Sequence, residues 1–367
     1  MSYITAIGTA NPPHRLEQNA IAGFMARAMQ LDEEGARRLN ALYRATGIET
    51  RYSVLGDYGR ERGFDFFPDN ETLSPFPSTS QRLALFERHA AALSLMSIHR
   101  CLEAVPSLNK SAITHLVVVS CTGMYAPGLD IDLVKALGLS GTIHRTCINF
   151  MGCYAAFNAL KLADAFCAAD ANAKVLVVCT ELCSIHFQKE NTEDNMLANA
   201  LFGDGSAALL VESRWRKGIS LRLANFKCDL AHEGEKDMAW AIGDLGFEMK
   251  LSSYVPAIIR TGIASLTKTL LEKSSLGDVS YFAIHPGGKR ILEVVEEELQ
   301  IAKDLNRHAH KILRHYGNMS SPTVLFVLQE VARNLGADDN GKKILSFAFG
   351  PGLTLESMLL EIKISLT

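Results

Sequence analysis

Short runs of aliphatic and β-branched residues alternate along the chain with longer segments in which apolar residues recur every three to four positions. The short runs predict buried strands over 113–121, 174–179, 206–211, 219–223, 279–284, 344–349 and 355–362. The longer segments predict helices over 81–105, 153–169, 255–273 and 323–335. Strands that alternate with helices predict an α/β protein whose sheets are covered by helices on both faces.

The order of these elements repeats in the two parts of the chain. A strand ending at Cys121 is followed by a Gly-Cys turn at Cys153, an apolar helix and another strand. A strand ending at His285 is followed, at nearly the same spacing, by a Gly-Asn turn at Asn318, an apolar helix and another strand. We therefore expect two similar halves, residues 1–215 and 216–367. Because α/β folds place their sites at the carboxyl ends of strands, the equivalent turns should meet between the halves.

Composition and charge exclude several classes of protein. The 37 basic and 40 acidic side chains leave a formal charge of −3, which lacks the basic surplus typical of nucleic-acid binding. No apolar run reaches the length of about 18 residues that spans a bilayer, and the first residues lack the layout of a signal peptide. We expect a cytoplasmic protein without a membrane span and without a nucleic-acid partner.

The eight cysteines are expected to be reduced thiols, most of them in the core. The close grouping of Cys179, Cys183 and His186 invites a zinc interpretation. However, Cys179 continues a predicted strand, so the two thiols need not converge, and no second cysteine pair completes a tetrahedral ligand set. We expect no metal site.

Three residues at the predicted turns have the chemistry of a catalytic site. Cys153 enters a helix, whose N-terminus favours the thiolate, although a buried structural cysteine is the alternative. His285 ends a strand and is followed by Pro-Gly-Gly, which permits close approach of the backbone. Asn318 would equally serve as a helix cap. Taken singly, each residue has a structural explanation.

Taken together, the motifs resemble a known family. They are Ile-Gly-Thr-Ala-Asn-Pro at 7–12, the Gly-Cys turn at 152–153, Leu-Phe-Gly-Asp-Gly at 201–205, His-Pro-Gly-Gly at 285–288, Tyr-Gly-Asn-Met-Ser at 316–320 and Phe-Gly-Pro-Gly-Leu at 349–353. This set resembles the type III polyketide synthases, the chalcone-synthase-like branch of the thiolase superfamily, over nearly the whole chain. The resemblance implies a homodimer with a thiolase-like αβαβα sandwich. It also implies acyl-CoA and malonyl-CoA as substrates, with no further cofactor.

The resemblance assigns the catalytic roles. It makes Cys153 the nucleophile that carries the acyl chain, His285 its partner, Asn318 the second oxyanion donor and Phe202 the aromatic residue at the throat of the pocket. Decarboxylation of malonyl-CoA leaves an enolate, which two N–H donors can stabilise, and the enolate carbon then attacks the Cys153 thioester. Iteration would give a pyrone, resorcinol or phloroglucinol-type product.

The predicted pocket departs from the pattern of plant chalcone synthases. The positions implied to contact substrate are Cys121, Cys183, His186, Trp240, Met249, Ser320, Gly287 and Pro351. Trp240 stands at a usual glycine, His186 at a threonine, and Met249 at the second gatekeeper phenylalanine. The added bulk predicts a smaller cyclisation cavity, and hence either few extensions or an aliphatic starter in a different tunnel that the flexible Met249 opens.

The implied contacts to coenzyme A and to a second subunit rest on fewer residues. Of the basic positions that the family uses for the CoA phosphates, Arg38 matches one, Ala41 replaces another, and Arg44 lies one place from a third. The Ala126-Pro127 pair matches the loop that reaches into the cavity of the neighbouring subunit.

Two other enzyme classes also use a cysteine, a histidine and an asparagine. A single-round ketoacyl synthase of the same superfamily shares all three, and product mass after incubation with malonyl-CoA would separate it from an iterative enzyme. A cysteine hydrolase of the papain type would carry a Cys-Gly-Ser-Cys-Trp signature, which is absent. A binding module without activity would require all three residues to be structural, and an inert Cys153 thiol would favour it.

Overall fold

The computed structural model describes residues 1–252, 254–272 and 275–365. Its strands are β1 (Ser2–Ala10), β2 (His14–Glu17), β3 (Thr50–Ser53), β4 (His115–Ser120), β5 (His144–Asn149), β6 (Lys174–Leu182), β7 (Asp204–Glu212), β8 (Gly218–Leu230), β9 (Met238–Gly243), β10 (Gly246–Leu251), β11 (Val279–Ile284), β12 (Lys343–Gly350) and β13 (Thr354–Ser365). Its α-helices are α1 (Gln18–Ala28), α2 (Glu33–Ala45), α3 (Thr79–Glu103), α4 (Leu129–Leu137), α5 (Ala155–Ala169), α6 (Glu193–Leu201), α7 (Val255–Leu271), α8 (Lys289–Leu299), α9 (Arg307–Tyr316) and α10 (Thr323–Arg333).

The elements expected from the apolar pattern are confirmed, with some differences at their ends. Strand β8 runs seven residues past the predicted 219–223. The prediction stopped early because the outer part of this strand is partly exposed and contains no continuous apolar run. Lys273, the last residue of the helix predicted over 255–273, lies outside the described residues. The pattern missed β5, whose side chains are mostly exposed, and the β9–β10 hairpin, which a Gly-Asp-Leu-Gly turn closes.

Nine strands form one mixed sheet in the order β11-β12-β13-β8-β1-β7-β6-β4-β5. The two halves repeat one topology. In the first, β4 and β6 are parallel, and β7 and β1 continue antiparallel. In the second, β11 and β12 are parallel, and β13 and β8 continue antiparallel. A short antiparallel pairing of β1 with β8 joins the halves.

Helices and strands alternate in layers, because the central strands of the first half, β4, β6 and β7, bury both faces. Leu116 and Val118 of β4 pack in one core with helices α1 to α4, whereas Val117 and Val119 pack in the other with α5 and α10. Helix α3 contacts β1, β6 and β7, α5 and α10 lie on the opposite side, and α7 contacts β8 and β13. The strands of the first half form one sheet layer, and those of the second half form the other. With the helices, the order of layers is helix–sheet–helix–sheet–helix, which agrees with the αβαβα sandwich that the resemblance implies.

The irregular segment before α3 is ordered by one carboxylate. The buried Asp57 side chain accepts hydrogen bonds from the backbone N–H groups of Asp65, Phe66 and Phe67, at 2.9 to 3.0 Å. These bonds hold the aromatic rings of the segment in contact with α1 and with Phe187. Among the helices of residues 1–252, 254–272 and 275–365, none is long and apolar enough to cross a membrane.

Candidate active site

Cys153 lies in the turn that enters α5, and two glycines make that turn possible. Gly152 has φ of 85°, and a Cβ atom there would overlap the ring of Pro351. A Cβ atom on Gly350 would overlap the ring of Tyr154. The turn at 152–153 therefore packs directly against the turn at 349–353. This contact buries Cys153, whose side chain is 8% exposed, at the N-terminus of α5.

Asn318 comes from the other half of the chain and meets Cys153. Its amide Nδ2 lies 3.9 Å from the Cys153 Sγ atom and donates a hydrogen bond to the Gly287 carbonyl at 3.2 Å. Its Oδ1 atom accepts a hydrogen bond from the Ser320 N–H at 2.8 Å. These contacts fix the orientation of the amide, and its second N–H is directed to the side of the thiol.

His285 follows β11, and its backbone N–H donates to the Phe347 carbonyl at 2.8 Å. The ring is 1% exposed, and neither of its nitrogen atoms has a hydrogen-bond partner within the described part of the chain. Buried polar atoms are nearly always paired, since an unpaired one loses its bonds to water without compensation. His285 is therefore a candidate contact for a ligand atom, since its unpaired ring also lines a cavity.

One chamber brings these residues together. Of the positions implied by the resemblance, it is lined by Cys153, His285, Asn318, Phe202, Cys121, Cys183, Trp240, Met249, Gly287, Ser320 and Pro351. Four further lining residues belong to none of the motifs and were not predicted: Thr122, Met238, Leu251 and Ile291. The last three are apolar, and nothing in the sequence distinguishes them from the core residues of the same strands and helices. Phe349 and Gly152 also line the chamber, and both belong to the motifs that carry the resemblance.

Burial changes the protonation of the two titratable groups. It raises the pKa of Cys153 to about 11, against hydrogen bonds from Ser320 and Asn318 that favour the thiolate. It lowers the pKa of His285 to about 3. The N-terminus of the helix alone would favour a thiolate, and burial opposes it. Burial therefore favours a neutral thiol at Cys153 and a neutral imidazole at His285. A neutral imidazole is the form that can accept the proton of the thiol.

The β9–β10 hairpin and the turn after β6 shape the far wall. Trp240 and Met249 are cross-strand neighbours, and the Trp240 Nε1 donates to the Cys121 carbonyl at 2.8 Å. The His186 ring stacks on Phe247 at 4.0 Å, and its Nδ1 accepts the Phe247 N–H at 3.0 Å. Its Nε2 therefore carries the proton and donates to the Thr122 carbonyl at 2.6 Å. Both nitrogens of His186 are occupied, so this residue contributes shape rather than acid–base chemistry.

A second chamber adjoins the first. It shares with the first the residues Cys183, Phe202, Trp240 and Met249, and His186 lines this chamber instead of the catalytic one. Its remaining apolar lining is Leu16, Ile21, Met25, Phe187, Ala198 and Phe247, and its polar lining includes Arg51, Ser53, Ser184, Gln188, Asn195 and Asn199. The side chains of Trp240 and Met249 therefore stand between two largely apolar spaces.

A buried carboxylate supports the floor of the catalytic chamber. Glu181 accepts hydrogen bonds from the Cys121 N–H at 2.8 Å, the Thr122 hydroxyl at 2.8 Å and the Ser321 hydroxyl at 2.6 Å. Desolvation raises the pKa of Glu181, and these bonds oppose the rise. Glu181 thus links the end of β4 to the turn after Asn318. No motif in the sequence marks Glu181, because an isolated glutamate in a strand resembles a surface residue.

The two arginines assigned to coenzyme A lie on the surface, outside both chambers. Arg38 lies on α2, is largely exposed and forms an ion pair with Glu34. Arg44 is exposed near the end of the same helix. Their role stays a prediction. Across the residues that the structure describes, no three His, Cys, Asp or Glu side chains are grouped so that they could hold a metal ion.

The chain is similar to known proteins along nearly its whole length. Residues 1–214 match the N-terminal domain of chalcone and stilbene synthases, and residues 223–363 match the C-terminal domain. The chain is 32% identical to the alpha-pyrone synthesis polyketide synthase-like Pks18 of Mycobacterium tuberculosis, over 99% of this chain and 91% of that protein. It is 30% identical to a putative chalcone synthase of Bacillus subtilis, over 98% of each.

Solved structures give the same result. The crystal structure of PKS-I from the brown alga Ectocarpus siliculosus superposes with a TM-score of 0.91 and 31% identity, over 98% of both chains. The C-terminal type III polyketide synthase domain of Steely1 from Dictyostelium superposes with a TM-score of 0.89 and 26% identity, over 98% of this chain and 99% of that domain. The chain therefore belongs to the chalcone and stilbene synthase family, and it is a type III polyketide synthase, an acyltransferase with a thiolase-like fold.

Proposed function

We propose that this type III polyketide synthase loads an aliphatic acyl group from coenzyme A onto Cys153 and extends it repeatedly with malonyl-CoA. The product is a pyrone, resorcinol or phloroglucinol-type polyketide. The observation that carries the proposal is the convergence of a thiol, an unpaired imidazole and an oriented carboxamide in one buried chamber. CoA thioesters are its only small-molecule requirement, and we place the reaction in the cytoplasm.

Loading begins with proton transfer. His285 accepts the proton of the Cys153 thiol, and the resulting thiolate attacks the carbonyl carbon of the starter thioester. The bond from that carbon to the sulfur of coenzyme A breaks, and the departing sulfur takes the proton back from the imidazolium. The ion pair formed in between is strengthened by the low dielectric of the buried chamber and by the N-terminus of α5.

Decarboxylation of malonyl-CoA uses the same groups as hydrogen-bond donors. The bond to the carboxylate breaks, carbon dioxide leaves, and the electron pair remains as an enolate with charge on the thioester oxygen. The N–H of the neutral His285 ring and one N–H of the Asn318 amide can stabilise that charge, and the other amide N–H stays with the Gly287 carbonyl. The apolar ring of Phe202 at the throat favours loss of the charged carboxylate over its retention.

Condensation completes each round. The enolate carbon attacks the acyl carbonyl on Cys153, a carbon–carbon bond forms, and the bond to Sγ breaks. The chain, now two carbons longer and carried by coenzyme A, returns to Cys153 for the next round. Holding both thioesters in one closed space makes the step effectively intramolecular.

The two chambers support an aliphatic starter. Trp240 occupies space in the catalytic chamber, and its indole is fixed by the bond to the Cys121 carbonyl, which leaves less room for an aromatic starter. The second chamber offers apolar walls at Leu16 and Met25, beyond the flexible Met249. A saturated chain that passes Met249 would lie against these apolar walls, while Gln188 and Asn199 line another part of the same chamber.

Arg38 and Arg44 are part of the proposal as contacts of the phosphates of coenzyme A. Both are exposed on α2 or near its end, where a negatively charged group from solvent can reach them. Guanidinium groups bind phosphate oxygens through paired N–H donors. Their effect should be confined to KM for the CoA thioesters, because neither side chain lines the catalytic chamber.

We include homodimerisation in the proposal. Strand β5 ends the nine-stranded sheet and shows mostly exposed side chains, and the unpaired N–H and C=O groups of such an edge can pair with another chain. The Ala126-Pro127 pair is exposed as well. Sedimentation at twice the mass of one chain is the expected result, and sedimentation at the mass of one chain would contradict this part.

The proposed substrate class is tested with a panel of acyl-CoAs from acetyl to palmitoyl, together with an aromatic acyl-CoA, each incubated with malonyl-CoA and read by mass spectrometry. We expect products of two or more extensions, with aliphatic starters preferred. Met25→Trp, which fills only the second chamber, should lower the ratio of long-chain to acetyl products about tenfold or more.

The matched change Trp240→Gly removes bulk from the catalytic chamber and should raise the yield of products from the aromatic starter. Products of one condensation only would indicate a single-round ketoacyl synthase. Preference of the unchanged enzyme for the aromatic starter, or an unchanged product ratio in Met25→Trp, would contradict the aliphatic assignment.

A further inference from the structure

We propose that Arg51, supported by Gln18, is a positioning residue that keeps Phe202 and Asn318 in their relative positions at the contact between the two halves of the chain. We propose further that the rate of malonyl-CoA decarboxylation depends on this positioning. This inference rests on the proposed function. Arg51 belongs to β3, and its side chain lines the second chamber but not the catalytic one, so an effect on decarboxylation must act through other residues.

The segment that ends α6 is held by three successive carbonyls. Gln18 Nε2 donates to the carbonyl of residue 200 at 2.8 Å. The backbone N–H of Asn318 donates to the carbonyl of residue 201 at 2.9 Å. Arg51 Nη1 donates to the carbonyl of residue 202, which is Phe202 itself. The Asn318 bond is therefore flanked on both sides by a side-chain donor from the N-terminal segment.

Arg51 also touches the second half directly. A Cβ atom on Gly317 would lie 2.8 Å from the Arg51 Cδ and 2.9 Å from its Cγ, closer than side chains can pack. The stem of Arg51 thus lies on the α-carbon of the residue before Asn318. The return bond from the Gly203 N–H to the Asn318 carbonyl, at 2.9 Å, closes the crossing between the two segments.

Arg51 acts through the directed hydrogen bonds of its guanidinium group rather than through its charge alone. Arg51 is 4% exposed, and its Nε donates to the Gln18 Oε1 at 2.8 Å while Nη1 reaches Phe202. A buried ion is a poor way to gain stability, since removal from water opposes the attraction it gains. An ammonium group on a lysine stem cannot make both bonds in this fixed fork geometry.

A shift of the 200–202 segment would move the Phe202 ring and the Asn318 amide together. Asn318 Nδ2 lies 3.9 Å from the Cys153 Sγ, so a displacement of about 1 Å changes its reach to an enolate oxygen substantially. Cys153 is held by different contacts, through Pro351 and the start of α5. Loss of Arg51 should therefore damage decarboxylation more than the reactivity of the thiol.

The test compares Arg51→Lys and Gln18→Met with the control Arg82→Lys. Arg82 is equally buried and also donates to backbone carbonyls, those of Pro77 and Ile185, but it makes no bond to the 200–202 segment. Release of carbon dioxide from malonyl-CoA gives kcat and KM, iodoacetamide labelling reports the Cys153 thiol, and thermal unfolding reports stability.

We expect Arg51→Lys to lower kcat for decarboxylation about 10- to 100-fold, with KM and the labelling rate within about threefold of the unchanged enzyme. Gln18→Met should show a smaller loss of the same kind. Arg82→Lys should keep kcat within about threefold, even if it lowers the melting temperature as much.

Two results would overturn the inference. One is a folded Arg51→Lys enzyme with unchanged kcat, and the other is a loss of kcat that follows the melting temperature equally in the Arg51 and Arg82 variants. If the unchanged enzyme releases no carbon dioxide from malonyl-CoA, the proposed function is wrong and this inference falls with it. If it does and only the variants behave otherwise than expected, the inference alone is wrong.

Discussion

Replacing Cys153 by alanine should abolish polyketide formation and leave the release of carbon dioxide from malonyl-CoA largely in place. The thiol is the atom that holds the starter, so its removal should lower product formation about a thousandfold or more. Decarboxylation relies instead on the donors of His285 and Asn318, which the substitution leaves intact. Product is measured by mass spectrometry, and decarboxylation by the appearance of acetyl-CoA.

Intact-protein mass after incubation with an acyl-CoA provides the second readout of the same variant. The unchanged enzyme should gain one acyl group, and Cys153→Ala should gain none. Cys167→Ala is the matched control, because Cys167 is also buried on α5 but lies outside both chambers. Extension by Cys153→Ala, or an acyl group found on a different cysteine, would show that the role has been given to the wrong residue.

The fold could be predicted from the sequence wherever apolar residues form a continuous run or a helical periodicity through an element. Strands β4 and β11 are buried on both faces and therefore appear as continuous apolar runs. Strand β5 has the same backbone geometry, but it lies at the sheet edge, and its polar side chains carry no periodic signal. The β9–β10 hairpin was missed for a related reason, since it is fixed by contacts with His186 and Cys121 instead of its own pattern.

The site was predictable only through its glycine-rich turns. Gly152 and Gly350 are required because a Cβ atom at either position would overlap the opposite turn. Each therefore belongs to a short motif that can be recognised in the sequence. Arg51 and Glu181 have no such string, because each acts by hydrogen bonds to backbone from separate parts of the chain. Protonation was also beyond the sequence. The helix terminus at Cys153 favours a thiolate, but the extent of burial that opposes it exists only in the folded chamber.

Replacing His285 by alanine should slow two reactions for two separate reasons. Without the imidazole N–H, the enolate loses one of its donors, and decarboxylation should fall about 100- to 1,000-fold, equivalent to about 3 to 4 kcal/mol. Without the imidazole as proton acceptor, the Cys153 thiol is governed by its burial, which raises its pKa to about 11. The thiolate fraction then falls about tenfold for each pH unit below that value.

The pH dependence of iodoacetamide labelling distinguishes these roles. In the unchanged enzyme, transfer of the thiol proton to the neutral His285 leaves the number of bound protons unchanged, so labelling through this route should be nearly independent of pH around neutrality, between the low pKa of His285 and the high pKa of Cys153. In His285→Ala the rate should keep rising through pH 10, and at pH 7 it should be at least about tenfold lower. His308→Gln is the control, because burial also lowers the pKa of His308, but it lies on α9 outside both chambers. Identical profiles for the unchanged enzyme and His285→Ala would mean that the imidazole takes no proton from the thiol, and the loading step would need a different base.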